Sequence, residues 1–476
     1  MLEYLHKKCF RKIMRDSSSM RKLLRWVLAL SIISILSGCN APKSHLSKFN
    51  QFFEAADFEK ARNFAQKKTS QKDTPRGEDL LWSLQIGSID RIEGNYTQST
   101  EMFDVCEDMM THFDSENSGI GHAVGAVAVN ENIVPYTGQV YDGVMVNTYK
   151  AMNFMSTGQY DLARVEFNRA LDRQRRAKET FSKEIQKQKN EISADENSEN
   201  VQKSLDNPEM QKRLEEVYPS LYNFSVYPDF VNPFATYMAG LFFLIEGDYS
   251  KSVDLLKESA GMMPENTMIL QDLDVVERAL SEGEAIEPTV WVIFENGLGP
   301  VKEEFRVDLP LFIFTDNVRY VGIALPKLMF RQAALPYLEL KTDSTTSKTQ
   351  LVADMDRVIQ TEFEKDFKGI LTRAIISTTA KAAAQYALEN NSNSSWAAVA
   401  MAVYNFVSTA ADVRIWTALP KDIQAARLVM PENGDLTLYG PTLTPIQVKI
   451  GNCKYAIVYV RMISTAHQPS IEIMTF

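Results

Sequence analysis

The sequence predicts a multidomain chain, α first and α+β afterwards: an N-terminal α-solenoid of helical repeats, then a β-rich domain carrying an inserted Ala-rich helical hairpin. Three observations predict it. Stretches of the first half share a Gly-x-aromatic turn between apolar runs of helical period. Beyond residue 285 the apolar residues become β-branched and aromatic, in short runs bounded by Gly and Pro. Between those runs, residues 354–411 hold no proline and are rich in Ala, Ser and Thr.

The first element is an address. The apolar run Trp26–Leu36 is short of the roughly 20 residues a membrane span needs. With Arg21, Lys22 and Arg25 before it, it reads as a secretory h-region; the alternative is a buried segment ending in an ordinary cysteine. Leu36-Ser37-Gly38-Cys39 resembles the lipobox of bacterial lipoproteins. That resemblance implies a signal peptide over 1–38, a diacylglyceryl and palmitate anchor on Cys39, and a lipidated linker over 39–47. Asn40 in place of aspartate implies an outer-membrane lipoprotein facing the periplasm. Met20 offers a second start.

Removing residues 1–38 leaves 43 Lys/Arg against 59 Asp/Glu, a net charge near −16. So acidic a chain lacks the basic footprint of a nucleic-acid binder. Membrane attachment then falls to the acyl chains alone. Cys106 and Cys453 are too few and too far apart in sequence for a disulfide framework.

Residues 48–283 form the repeat domain. Segments 80–110, 146–174 and 234–266 align on Gly94, Gly158 and Gly247, each followed two residues later by Tyr96, Tyr160 or Tyr249. Small residues (Gly87, Ala151, Gly240; Ser99, Ala163, Ser252) and bulky ones (Phe103, Phe167, Leu256) recur in register. Small residues at a crossing let two helices approach closely. The pattern resembles the tetratricopeptide repeat, and 48–68, with Ala56, Phe58 and Ala61, has the same rhythm as a capping unit. Charged residues 172–216 read as a solvated helical projection or a docking surface. The glycines of 119–146 lack the spacing and preceding strand of a dinucleotide loop; they suit a loop threading the concave face, with Tyr136 and Tyr141 packed.

Residues 285–476 form the β-rich domain, with strands expected over 289–297, 303–314 and 319–326 and in five closing runs. The inserted helical block, 354–411, packs as a hairpin or, alternatively, inserts in a membrane; its second arm has too few apolar residues for a span. Several segments, among them 290–311 and "TAADVRIWTALP" at 409–420, resemble a poorly characterised family of bacterial repeat-containing lipoproteins over residues 45–440. The resemblance implies a role in cell-envelope assembly. Where that family has a small polar residue, this chain has Ile415.

No zinc spacing, nucleophile elbow or phosphate loop is present in the sequence, and Thr378–Lys381 has no companion motif. The expectation is therefore no enzyme, no metal and no cofactor. Glu295, Lys302, Glu303, Asp412 and Arg414 are expected to form a structural polar network. Asn147, Tyr149, Asn153, Tyr237 and Phe242 are the candidates for a groove that binds a periplasmic or outer-membrane protein. The expected function is a lipid-anchored periplasmic adaptor; a peptidoglycan-synthesis activator or cell-wall enzyme, and a component of a membrane export assembly, are the alternatives.

Overall fold

The computed structural model describes residues 41–69, 77–117, 135–194, 198–223, 232–312, 318–391 and 410–476. Cys39 and its lipobox, most of the glycine-rich loop and most of the second arm of the Ala-rich hairpin lie outside the described residues.

Among the described residues, twelve helices precede the first strand. They are α1 (Ala41–Glu54), α2 (Phe58–Gln66), α3 (Asp79–Ile92), α4 (Tyr96–Asn117), α5 (Val140–Ser156) and α6 (Tyr160–Ala194), then α7 (Ser198–Leu205), α8 (Pro208–Val217), α9 (Ser220–Asn223), α10 (Pro233–Ile245), α11 (Tyr249–Met262) and α12 (Thr267–Glu282). Four pairs, α1–α2, α3–α4, α5–α6 and α10–α11, turn in the same way. Gly94, Gly158 and Gly247 hold φ of +78°, +72° and +79°. The next residue donates its N–H five residues back, Asn95 to Asp90 (2.8 Å), Gln159 to Phe154 (2.8 Å) and Asp248 to Phe243 (2.9 Å). Such a left-handed residue closes a helix by satisfying its last carbonyls. The first pair makes the same bond, Asp57 to Phe52 (2.9 Å), with Ala56 forced to φ +50°.

The small positions act as the spacing requires. A Cβ on Gly87 would stand 2.7 Å from the Phe103 ring, and one on Gly240 3.0 Å from Leu256. Ser99 and Ser252 donate their hydroxyls to the Gly87 and Gly240 carbonyls, both at 2.8 Å. Equivalent residues thus make equivalent bonds in two units.

The charged stretch reads in sequence as two long helices broken near Ser193–Asn200. The break falls there, with α6 ending at Ala194 and α7 starting at Ser198, but the return is made by short α7 and α8 in place of one long helix. Val201, Met210 and Leu214 bury themselves there, and Ser204 Oγ accepts a 2.9 Å bond from the Phe312 N–H. The return is docked on the β-rich part because its apolar stripe faces that way.

The β-rich part contains β1 (Thr289–Asn296), β2 (Val301–Phe312), β3 (Val318–Met329), β4 (Glu339–Lys341), β5 (Thr346–Lys348), β6 (Gln350–Asp354), helix α13 (Met355–Asn391), β7 (Asp422–Val429), β8 (Asp435–Gly440), β9 (Leu443–Lys449), β10 (Tyr455–Met462) and β11 (Ser470–Thr475). Strands order as β11-β10-β1-β7-β6 in one sheet, β5-β4-β8-β9 in a second and β2-β3 in a separate arm. Strands β1 and β10 pair in parallel, and β1 pairs antiparallel with β7. Both β1 and β10 are buried along their whole length because the large sheet is covered on two sides. Val290, Val292 and Phe294 pack with Leu338, Leu340, Leu436 and Leu438 of the second sheet. The alternate residues Trp291 and Ile293 belong to the core shared with the helices. Cys106 and Cys453 are free thiols, the first buried. Among the described residues no helix is long and apolar enough to cross a membrane.

Candidate functional site

Residues 416–418 pack against side chains of α1, α3, α4 and α5 of the same chain. Gln85 of α3 grips that segment twice: its Nε2 donates to Thr417 Oγ1 (3.0 Å) and its Oε1 accepts the Ala418 N–H (3.1 Å). Thr417 Oγ1 donates to Asn50 Oδ1 of α1 (2.6 Å). Trp416 Nε1 donates to Ser88 Oγ (2.9 Å), and its ring lies 5.9 Å from Phe103 and 6.0 Å from Tyr149. Arg331 completes the clamp, with Nη1 on Glu54 (2.9 Å) and Nη2 on the Thr417 carbonyl (2.6 Å). Burial pushes its guanidinium down to about 10.

A second line of polar contacts joins the helices to the large sheet. Asp272 of α12 accepts bonds from Tyr237 (2.9 Å) and Trp291 Nε1 (3.0 Å) and faces Arg427 Nε at 3.2 Å. Burial raises its carboxyl to about 6, against the pull of Arg427. Tyr149 of α5 donates to Glu295 of β1 (2.7 Å), which pairs with Arg461 Nε of β10 at 3.5 Å. Beside this pair is a chamber lined by Ser88, Arg91, Tyr96, Tyr149, Tyr459 and Glu472, within which a water molecule's centre ranges over about 20 Å³. Arg91 stands 4.8 Å from the Tyr459 ring and donates from Nη1 to Asn153 (2.5 Å). A site for a sugar or nucleotide is far larger, roughly 300–1,000 Å³.

The five groove candidates are therefore corrected. Asn147, Tyr149, Asn153, Tyr237 and Phe242 are each at most 4% exposed, closed in by this chain. Asn147 donates to Glu107 (2.8 Å) and Glu166 (2.6 Å) and accepts from Arg173 (2.7 Å). Asn153 donates to Ser99 (3.0 Å), and Phe242 packs on Phe167 at 5.1 Å. Helical period gives the side of a helix a residue occupies; it does not say what covers that side.

The expected polar network divides in two. Asp412 and Arg414 pair at 2.7 Å, and against desolvation the Arg414 charge holds the half-buried Asp412 carboxyl low. Lys302 acts electrostatically on Asp412 and on Asp142. Glu295 belongs to the Arg461 pair instead, and Glu303 is exposed on β2. Ile415 is fully buried, so the apolar residue suits its place. Sequence reasoning missed Gln85, Arg91, Asp272 and Arg461. Gln85 and Arg461 are polar residues inside apolar runs ("LWSLQIGS", "YAIVYVRMIS"), which signals an internal partner without naming it, whereas Arg91 and Asp272 stand among other charged residues and carry no such signal. Among the described residues no group of three His, Cys, Asp or Glu is placed to hold a metal.

No family model matches the chain, and no curated protein does. A tetratricopeptide repeat protein from Parabacteroides merdae ATCC 43184, solved at 2.39 Å, is 9% identical, with 49% of this chain and 98% of that chain covered. The TM-score is 0.13, which carries no argument about fold. Among the described residues, four helix pairs of this chain close with one and the same turn.

Proposed function

We propose that the protein is a non-catalytic, lipid-tethered scaffold of the bacterial cell envelope. Its paired helices and β-rich part act as one body, and its protein partner docks on outward surfaces. The observation that supports this reading is the packing of Trp416, Thr417 and Ala418 on α1 and α3, which closes that side of the helices with the chain's own residues. The tether rests on the lipobox-like Leu36–Cys39 and the envelope role on the family resemblance. The small volume of the Arg91 chamber favours a scaffold over an enzyme acting on glycan.

In-cell photo-crosslinking tests the docking. Probes at exposed Val105, Val165 and Phe305 are expected to trap a partner in the wild-type background. Capture that appears only once Trp416→Ala has loosened the segment would mean that residues 411–419 are a plug over the true docking groove. The tether is tested separately: Cys39→Ala is expected to move the protein from the membrane to the soluble envelope fraction, and unchanged fractionation contradicts it.

A further inference from the structure

Several polar groups of the chamber beside α3 are committed elsewhere. Glu295 is held by Tyr149 and Arg461, and Arg461 donates to the carbonyls of Gly297 (2.6 Å) and Ala418 (3.2 Å). Ser470 Oγ donates to the Ile92 carbonyl (2.7 Å), and Ser88 Oγ to that of Leu84 (3.0 Å). Arg91, Glu472 and the Tyr459 hydroxyl are the exceptions. Arg91 is 6% exposed, yet its Nε and Nη2 have no hydrogen-bond partner in the protein. Those two nitrogens form the side-on fork with which a guanidinium grips a carboxylate. Glu472 Oε1 is likewise without a partner, and its other oxygen stands 3.7 Å from Arg91 Nη2.

An unfilled pair of donors beside an unfilled acceptor suits a ligand that accepts at one end and donates at the other. A bare anion would face Glu472, and a bare cation would face Arg91. We propose that this chamber binds the α-amino carboxylate head of a small amino acid, with its carboxylate on the Arg91 fork and its α-nitrogen donating to Glu472 Oε1. The size agrees, since the enclosed space admits a few heavy atoms and no large side chain. The rings of Tyr459, Tyr149 and Tyr96, at 4.8, 5.5 and 5.7 Å, surround the guanidinium and hold the fork in place before a ligand arrives. Partly exposed Ile92, Tyr96 and Ser470 form the rim, between the α3–α4 turn and the edge strand β11. The same head ends every polypeptide, with an amide N–H in place of the ammonium, so the source is a free amino acid or a chain terminus. The inference does not depend on the scaffold reading.

Isothermal titration calorimetry on the intact chain tests it, with glycine, acetate, methylamine, and triglycine bearing a free or an amidated end. Glycine is expected to bind at least about tenfold more tightly than acetate or methylamine, because only it fills both ends of the site. Triglycine binding more tightly than glycine, and losing binding on amidation, identifies a chain terminus; weaker triglycine binding identifies the free amino acid. Glu472→Gln, on an edge strand, is expected to weaken glycine about tenfold and to leave acetate unchanged or tighter. Arg91→Lys keeps the charge, loses the fork, and is expected to weaken both. Circular dichroism confirms that each variant is folded. Glycine no tighter than acetate in the wild type, or unaffected by Glu472→Gln in a folded variant, overturns the proposal.

Discussion

Trp416 Nε1 donates a 2.9 Å hydrogen bond to Ser88 Oγ, although 328 residues separate them in sequence. The indole is 1% exposed and lies between Phe103 and Tyr149. It joins the paired helices to the β-rich part as a core residue does. Trp416→Ala is expected to cost about 3–5 kcal/mol, the usual loss for truncating a buried aromatic. Trp416→Phe keeps much of the packing and loses the bond, so a smaller loss is expected. Urea unfolding of both variants checks this; a loss under about 1 kcal/mol for the alanine variant would mean that the segment is not part of the core.

Ala56 stands where the other three pairs have glycine, at φ +50°. A side chain in the left-handed region costs about 1–2 kcal/mol, while glycine gives back roughly 0.4–1 kcal/mol through its freer unfolded state. Ala56→Gly is therefore expected to stabilise by about 0.5–1 kcal/mol. Gly158→Ala, at φ +72° with open space around it, is expected to destabilise by a similar amount. Calorimetry on the two variants reads the opposite signs directly.

Gly87 and Gly240 test whether the helix crossings are as tight as they look. The Phe103 ring is 2.7 Å from a Cβ placed on Gly87, and the ring is fully buried and cannot swing aside. Gly87→Ala is expected to cost about 1–3 kcal/mol through overpacking. Gly240→Ala meets Leu256 Cδ2 at 3.0 Å and Cγ at 3.1 Å, a wider gap than at Gly87, and is expected to cost less. Equal thermal stability of Gly87→Ala and the wild type would show that the crossing has slack.

Asp142 is fully buried, accepting from Tyr136 OH (2.6 Å) and the Gln139 N–H (2.9 Å), and burial raises its carboxyl to about 6. The folded chain therefore binds this proton more tightly than the unfolded chain, whose aspartates titrate near 3.9. Stability from this group is full below about pH 4 and is lost as pH rises through about 6. Asp142→Asn is expected to flatten the fall in unfolding free energy across that window. Denaturation at pH 4, 5, 6 and 7 checks it; an unchanged slope would assign the proton elsewhere, Asp272 and Asp356 being raised to about 6 as well.

Local chemistry was legible along the chain. Gly94, Gly158 and Gly247 announce their turns because only glycine adopts a left-handed conformation without steric cost. Gly87 and Gly240 announce close crossings, and the β-branched runs after residue 285 announce strands. The short strands β4, β5 and β6 carried no such mark, because pairing with β8 and β7 makes them strands, not their own composition.

The sequence by itself determined the longer helices and strands and where the pairs of helices turn, since those depend on neighbours within a few residues. Only the tertiary structure decided that Trp416, Thr417 and Ala418 pack on α1 and α3, that Asn147, Tyr149, Asn153, Tyr237 and Phe242 are enclosed, and that Arg91 and Glu472 meet. Those outcomes come from contacts hundreds of residues apart, and a hydrogen bond such as Gln85 to Thr417 leaves no periodic trace in either segment.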